Sequence, residues 1–407
     1  MVRTTTQNFK MLPSFYQACL QANLSEASYL TLQLLILLLQ SHRIVQLEKL
    51  AALFPQPITF ESRRRNLQRF LKLPQLNVKL LWFPLIKQIV KLEFSGKNKN
   101  REPRRRLKKL KHAGRLLVVI DRTDWKGRNL FVASVICGRR ALPVYWVLLN
   151  KKGSSALGEP KKFLKPVLGL LKPYPLVVMG DREFQSAQLG KWLDDRGVAF
   201  IFRQKKSTYT RLKDGENYQA LSELEPNRGE RNFFRGVTHT KSHEIEGFNL
   251  ATYGKRGYRT KGSKEPWYLL TNLESLEITL KLYKSRFGIE AMFKDCQTGG
   301  YNLEKTKVSE PRFLALILLI AIAYSLNTTR GQNLKKSGTR DYICRSKEAK
   351  RGPERHSDFW IGTYGSFWIE SMDAYSELAF SLIRLKPGKH PDFSRGLTAM
   401  RLIQQAF

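Results

Sequence analysis

Acid, cysteine and histidine are all in short supply in this 407-residue chain, and each shortage argues against a class of function. The four cysteines, Cys19, Cys137, Cys296 and Cys344, are scattered, with no Cys-x-x-Cys pair and no local histidine partner. That spacing supports neither a zinc site nor a disulfide framework, and it fits a reducing compartment. Long apolar runs are missing too. The most apolar, Phe313 to Leu326, has 14 residues. A bilayer-spanning helix needs roughly 20, so this run reads as a buried core helix. The N-terminus is polar without a cleavable apolar segment, and neither a basic amphipathic helix nor a lipid-anchor motif is visible. No internal repeat is visible either. The expectation is a cytoplasmic, nucleoid-associated protein that meets no membrane.

What remains is a surplus of positive charge. Lys and Arg total 71 against 34 acids, for a formal net charge of +37. The hydrophobic share of 42% and aromatic share of 11% are those of a folded protein, so the charge does not signal disorder. Nucleic acid is the natural partner, because neutralising phosphates releases counterions and gives affinity without sequence preference.

The first hundred residues read as helices. Ser25 caps one that runs through Leu39, and a second covers Ile44 to Phe54. Pro55-Gln56-Pro57 breaks the chain, and Thr59 caps a third helix from Phe60 to Leu71. That helix carries Arg63, Arg64 and Arg65, the candidate DNA contacts, with Phe60, Leu67 and Phe70 left for the core. Helix, short break and Arg-rich helix suggest a helix-turn-helix-like DNA reader; an ordinary helical bundle with a solvated basic face is the alternative.

From Gly114 the pattern turns to strands: Leu116 to Asp121, Asn129 to Ile136, and Pro143 to Leu149. A helix from Glu159 to Leu171 leads to a strand ending at Asp181, and a helix from Phe184 to Arg196 leads to Val198 to Arg203. Three strands, helix, strand, helix, strand is the order of an α/β ribonuclease H-like core, in which the first and fourth strands are parallel neighbours. The segment from Lys205 to Lys264 alternates with period two and is rich in Gly, which marks a β-rich insertion. It is rich in Lys and Arg, and its aromatics (Tyr209, Tyr218, Phe233, Phe234 and Phe248) are spread among polar residues, so it is expected to face DNA rather than complete the core; a small core of the insertion's own is the alternative for those aromatics. The chain divides into a helical DNA-binding domain (1–96), a basic linker (97–114), the ribonuclease H-like core (115–204 and 265–326) around the insertion (205–264), and a basic C-terminal region (327–407).

Three acids stand out in this frame. Asp121 and Asp181 each close an apolar strand, and Glu290 sits on a helix after the insertion. In so basic a chain they read as a metal site acting on phosphodiesters, the positive field gathering the polyanion and the acids holding divalent cations. Singly, each has a plainer meaning: a turn residue at a strand end, or a surface acid on an amphipathic helix. Asp124, Glu183 and Asp295 lie close by and compete for the same reading. On one continuous helix, Tyr283 and Glu290 fall within about 20° of each other, with Arg286 about 60° off that line. Arg286 and Glu290 are also spaced for a surface ion pair at i, i+4.

Asp-x-Thr at Asp121 to Thr123, Gly-Asp-Arg-Glu-Phe at Gly180 to Phe184, and Tyr-x-x-Arg-x-x-x-Glu at Tyr283 to Glu290 together resemble the bacterial insertion-sequence DDE transposases of family four. The Thr59 to Leu71 segment is similar to that family's N-terminal DNA-binding region. The resemblance implies a ribonuclease H-like core with a β-strand insertion, and action as a homodimer on terminal inverted repeats and target DNA. It also implies Mg²⁺ dependence, with Mn²⁺ as a substitute. By the same resemblance Asp121, Asp181 and Glu290 are the catalytic metal ligands, and Tyr283 and Arg286 hold the DNA strand end. A ribonuclease H-like nuclease that cuts without joining, and an inactive transposase-derived DNA-binding protein, are the alternatives.

The family signature continues with a lysine where this chain has Gln297. Lys294, about 40° around the helix from Glu290 and about 6 Å along it, is the candidate replacement. A lysine stem reaches most of a further turn, and a point charge suffices for a phosphate. Lys294→Ala is expected to slow cleavage and strand transfer on a labelled element end, with Gln297→Lys restoring part of the loss. An unchanged rate would remove Lys294 from this role.

Overall fold

The computed structural model describes residues 12–95, 114–125, 127–138, 140–149, 157–254, 265–297, 300–345 and 356–405. The basic linker, Gly114 excepted, and the end of the insertion beyond 254 lie outside them. Two compact units are present: Met1–Leu85 with Cys296–Phe407, and Ile86–Asp295. The chain opens with helices α1 (Ser14–Gln21), α2 (Glu26–His42), α3 (Leu47–Leu53), α4 (Phe60–Phe70) and α5 (Phe83–Ser95). Ser25 caps α2 as expected, its side chain accepting from the Ser28 N–H. The second helix starts later than Ile44, because Arg43 takes a left-handed conformation (φ 53°) and ends α2, and α3 then leaves at 102°. Thr59 caps α4, whose Leu67 and Phe70 are buried, while Phe60 is 44% exposed and does not join the core.

The second unit is built on one ten-stranded sheet. Its strands are β1 (Leu116–Trp125), β2 (Arg128–Cys137), β3 (Arg140–Leu149), β4 (Leu176–Gly180), β5 (Ala199–Arg203), β6 (Tyr209–Arg211), β7 (Gln219–Ala220), β8 (Arg231–His239), β9 (Ile245–Tyr253) and β10 (Trp267–Thr271), in the order β3-β2-β1-β4-β5-β10-β9-β8-β6-β7. Strands β1 and β4 are buried along their shared stretch, as apolar runs covered on both faces must be. The first five strands form an antiparallel meander followed by parallel crossovers, through α6 (Gly158–Leu171) and α7 (Ala187–Asp194). This is a large mixed sheet consistent with a ribonuclease H-like core carrying inserted strands.

The inserted strands do help to complete the core, contrary to the expectation that they only face DNA. β10, just after the insertion, pairs with β5, and the inserted strands extend the sheet from it, β9 against β10 and β8 against β9, so that β10 is not left as an open edge. Val237, Phe248, Leu250 and Ala251 are buried, and the Phe248 ring meets Phe200 edge-on at 4.9 Å. Tyr209, at 44%, stays exposed. The helix expected from Phe184 is also shorter. A 3₁₀ turn at Arg182–Phe184 comes first, and α7 starts at Ala187 behind a Ser186 cap. After β10 come α8 (Leu276–Ser285) and α9 (Phe287–Cys296).

The remaining helices are α10 (Glu310–Lys336), α11 (Arg340–Ile343), α12 (Asp358–Ala374), α13 (Ser376–Arg384) and α14 (His390–Gln405). Among the described residues α10 is the single helix long and apolar enough to cross a membrane, and 83% of its apolar window is buried inside the protein. Two of its buried polar side chains find partners within the unit. Tyr16 Oη and Ser325 Oγ share a hydrogen bond, and Asn327 accepts from Gln40 and donates to Thr363. The aromatic tail is α12, and Arg43 stacks over its Trp360 ring at 4.6 Å. Helices α10 and α12 approach closely because each carries a glycine at the contact. A Cβ on Gly331 would lie 1.8 Å from the Asp358 carbonyl oxygen, and one on Gly362 would lie 2.0 Å from that of Asn327. Gly331→Ala or Gly362→Ala is therefore expected to lose about 1–3 kcal/mol of stability through overpacking, measured by urea unfolding. An unchanged or raised midpoint would show that the helix pair yields freely.

Candidate active site

Strand register places the first two acids. β1 and β4 run parallel, and Ile120 opposite Gly180 is their last pair, so Asp121 and Asp181 leave that ladder side by side. Asp121 does not close its strand, however. β1 continues four residues further against β2, with Asp121 opposite Val132, because the hairpin partner outlasts β4. Beyond β4 the chain turns at once, and Asp181 Oδ1 accepts the Glu183 N–H at 2.9 Å. Asp121 Oδ1 accepts the Arg122 N–H at 2.9 Å. Burial pushes the Asp121 carboxyl up to about 7; Arg286 opposes that rise, and Asp181 and Glu290 add to it.

Glu290 arrives on a broken helix rather than a continuous one. The chain tightens at Arg286, where the Arg286 N–H reaches the Tyr283 carbonyl and the Ile289 N–H reaches that of Arg286, both at 3.0 Å. These i, i+3 bonds separate α8 from α9 and leave Arg286 at the joint. Its guanidinium is buried. Nη1 donates to Asp121 Oδ2 at 3.0 Å and Nη2 to Glu290 Oε1 at 2.5 Å. The i, i+4 ion pair is thus present, and the same arginine bridges to the sheet.

Tyr283 lies beneath this bridge, 1% exposed, its ring edge-on to Trp267 at 5.1 Å. Burial pushes its phenol up to about 12, against the pull of Arg286 and Arg203. Tyr283 Oη, Arg286 Nε and Arg203 Nε are buried donors with no acceptor among the described residues. Neighbouring donors left open in this way suit an anion. Arg203 escaped the sequence reading. Its signal was modest, a basic residue closing the strand next to β4.

The three competing acids have structural partners. Asp124 Oδ1 accepts the Gly127 N–H at 2.7 Å in the β1–β2 turn. Glu183 pairs with Arg122 at 2.7 Å, which ties the residue after Asp121 to the residue two past Asp181. Asp295 pairs with Arg140 at 3.1 Å. A cleft of about 820 Å³ opens on this flank, lined by Arg122, Arg182, Glu183, Lys205 and His243 among others.

Carboxylates are the hard oxygen donors that Mg²⁺ requires, so the chemistry of Asp121, Asp181 and Glu290 fits that ion. Their arrangement is closed in this structure, since the Arg286 guanidinium contacts both Asp121 and Glu290. Among the described residues no group of three His, Cys, Asp or Glu side chains is gathered closely enough to hold a metal. Lys294 is exposed on α9, and α9 ends at Cys296, so Gln297 lies beyond the helix on which it was expected.

In the other unit, α4 uses its arginines locally. Arg63 donates to the carbonyls of Ala51 at 2.8 Å and Ile58 at 2.6 Å, while Arg64 and Arg65 pair with Glu61 at 2.8 and 2.9 Å. Arg63 thereby caps the end of α3.

Removing the bridging cation should leave Asp121 buried beside other acids. Arg286→Met is expected to destabilise the unit by about 3 kcal/mol, and Asp121→Asn in the same chain to recover much of it. Urea unfolding of the two single variants and the double variant measures the coupling. Additive effects would show that the Arg286–Asp121 contact carries little energy.

Three comparisons with known proteins bear on this site. Comparison with curated protein sequences gives no match. A solved structure, the cryo-EM structure of the piggyBac transposase synaptic complex with hairpin DNA, aligns at 12% identity and a TM-score of 0.38, covering 91% of this chain and 80% of that one. At that score nothing about this chain follows from it. The family model described as the transposase DDE domain matches residues 112–326, more than half of the chain and the stretch that holds Asp121, Asp181 and Glu290. The chain belongs to the transposase DDE domain family.

Proposed function

We propose that this protein is the DNA transposase of a bacterial insertion sequence of family four, binding the element's terminal inverted repeats, cutting its ends and joining them to target DNA. The observation that carries the reading is the exit of Asp121 and Asp181 side by side from parallel strands, with Arg286 linking Asp121 to Glu290. Asp121, Asp181 and Glu290 would hold Mg²⁺, or Mn²⁺ in its place. When bound, such ions lower the barrier to in-line displacement at phosphorus by stabilising the charge that develops on the phosphodiester oxygens. The protein's own residues do the positioning. Tyr283, Arg286 and Arg203 hold buried donors without acceptors that a strand-end phosphate would satisfy once the arrangement opens, and Lys294 adds a charge one turn beyond Glu290. Water is the attacking group in cleavage, and the freed 3′-OH is the attacking group in joining, so no covalent protein intermediate is required.

Two copies acting on two ends would make the protein a homodimer in its DNA complex, at work in the nucleoid. The helical region with α3 and α4 is the proposed reader of the inverted repeat. There Arg64 and Arg65 exchange Glu61 for phosphate or base edges, while Arg63 keeps the α3–α4 junction in shape.

Asp121→Asn, Asp181→Asn and Glu290→Gln should each abolish cleavage of a labelled element end in Mg²⁺ while leaving end binding within about twofold. Each change deletes a ligating charge and keeps the side chain's volume. Near-wild-type cutting by any one would take that residue out of the site. Cutting without joining in a strand-transfer assay would make the protein a nuclease instead.

A further inference from the structure

Glu290 is useful to the site only if α9 is held in one rotational setting, and what holds it lies on the opposite side of the helix. Gly288, Met292 and Asp295 follow one another at i, i+4 and i+7 and fall within about 60° of arc, whereas Glu290 points about 200° away from Gly288. The first three form the seat of α9 on the β2–β3 hairpin. A Cβ on Gly288 would lie 3.1 Å from Ile136 Cδ1 and 3.3 Å from the Arg140 carbonyl carbon. The Ser134 hydroxyl donates to Met292 Sδ at 3.6 Å. Arg140 Nη1 meets Asp295 Oδ2 at 3.1 Å, with side chains only 20% and 4% exposed. On the flank, Phe293 stands edge-on to Trp125 at 6.2 Å.

The contacts at Gly288 and Met292 are small or weakly directional, and a helix can roll over them. The break at Arg286 also frees α9 from the setting of α8. Asp295 is a poor choice for stability, since an acid in the last turn of a helix faces the negative end of the dipole and its burial requires a partner. What such a pair supplies is direction. We propose that the largely buried Arg140–Asp295 ion pair is a positioning device that fixes the roll of α9 and so sets Glu290 against Asp121. The inference rests on the reading of Glu290 as a site residue. A roll of 20° would carry a carboxylate on a side chain of this length by about 2 Å. Misplacement of about 1 Å is enough to lose about 100-fold in rate.

The test replaces the pair by apolar side chains of similar volume, Arg140→Met with Asp295→Leu, a swap that often keeps or raises stability. Expected are an unchanged melting temperature, unchanged KM for the element end, and kcat for cleavage lower by about 100-fold. Amide hydrogen exchange should rise across α9 and not elsewhere. The charge-swapped variant, Arg140→Asp with Asp295→Arg, should regain part of the rate and of the protection, and it also serves if the apolar pair folds poorly. Wild-type kcat together with unchanged α9 exchange would overturn the proposal. Glu290→Gln in the natural chain separates the two readings. If that variant cuts normally, Glu290 is not a site residue, and α9 exchange in the paired variants still decides whether Arg140 and Asp295 hold the helix.

Discussion

The site is organised around one unfavourable demand: three acids must be gathered close together, one of them away from water. Asp121 is buried, and its neighbours Asp181 and Glu290 carry the same charge. Two unit charges 4 Å apart near a protein surface interact by about 4 kcal/mol, so the cluster needs a cation to exist at neutral pH. Arg286 supplies one, bonded to Asp121 and Glu290 at once. The compensation is partial, because burial still leaves the Asp121 carboxyl at about 7, above its value in an unfolded chain. A carboxyl raised on folding opposes folding; the penalty is full above its folded value of about 7 and fades as pH falls from there toward its unfolded value. The fold tolerates that strain at the place where chemistry is proposed to occur.

The rest of the unit serves to bring these few side chains together from distant parts of the chain. Asp121 and Arg286 are separated by 165 positions in sequence. The parallel pairing of β1 with β4 brings two acids together directly. The return from the insertion does the remainder, since inserted strand β9 and the core strand β10 that follows it lead the chain back along the sheet to β5, next to β4. Ser275 then caps α8, and the chain descends toward the acids. Their structural role explains why the inserted strands bury apolar side chains despite their basic composition.

Much of this was legible in the sequence because period and punctuation are local signals. The apolar run before each Asp fixed the strands, and the Ser25 and Thr59 caps fixed two helix starts. The parts that misled depend on partners that no local pattern reveals. Asp121 stays within a strand because β2 is longer than β4, and the helix through Tyr283 breaks at Arg286, whose guanidinium bonds an acid 165 positions away. Phe60 reads as core by type but lies in the first turn, and it stays exposed. Arg203 was overlooked because a single basic residue at a strand end is an ordinary sight.

The scarcity of acid also takes on a different meaning in three dimensions. Around the site most of the acids are matched to particular arginines: Glu183 to Arg122, Asp295 to Arg140, Glu265 to Arg182 and Arg203, and Asp121 with Glu290 to Arg286. These pairs lie buried or half-buried and fix geometry, a task for which the planar guanidinium is better suited than an ammonium. With 71 Lys and Arg against 34 acids, one-to-one pairing would still leave an excess of +37, and that excess sets the long-range field. The same residue type therefore does two separate jobs. Paired arginines hold the acids in register, and the surplus of lysines and arginines draws in the polyanion on which those acids are proposed to act.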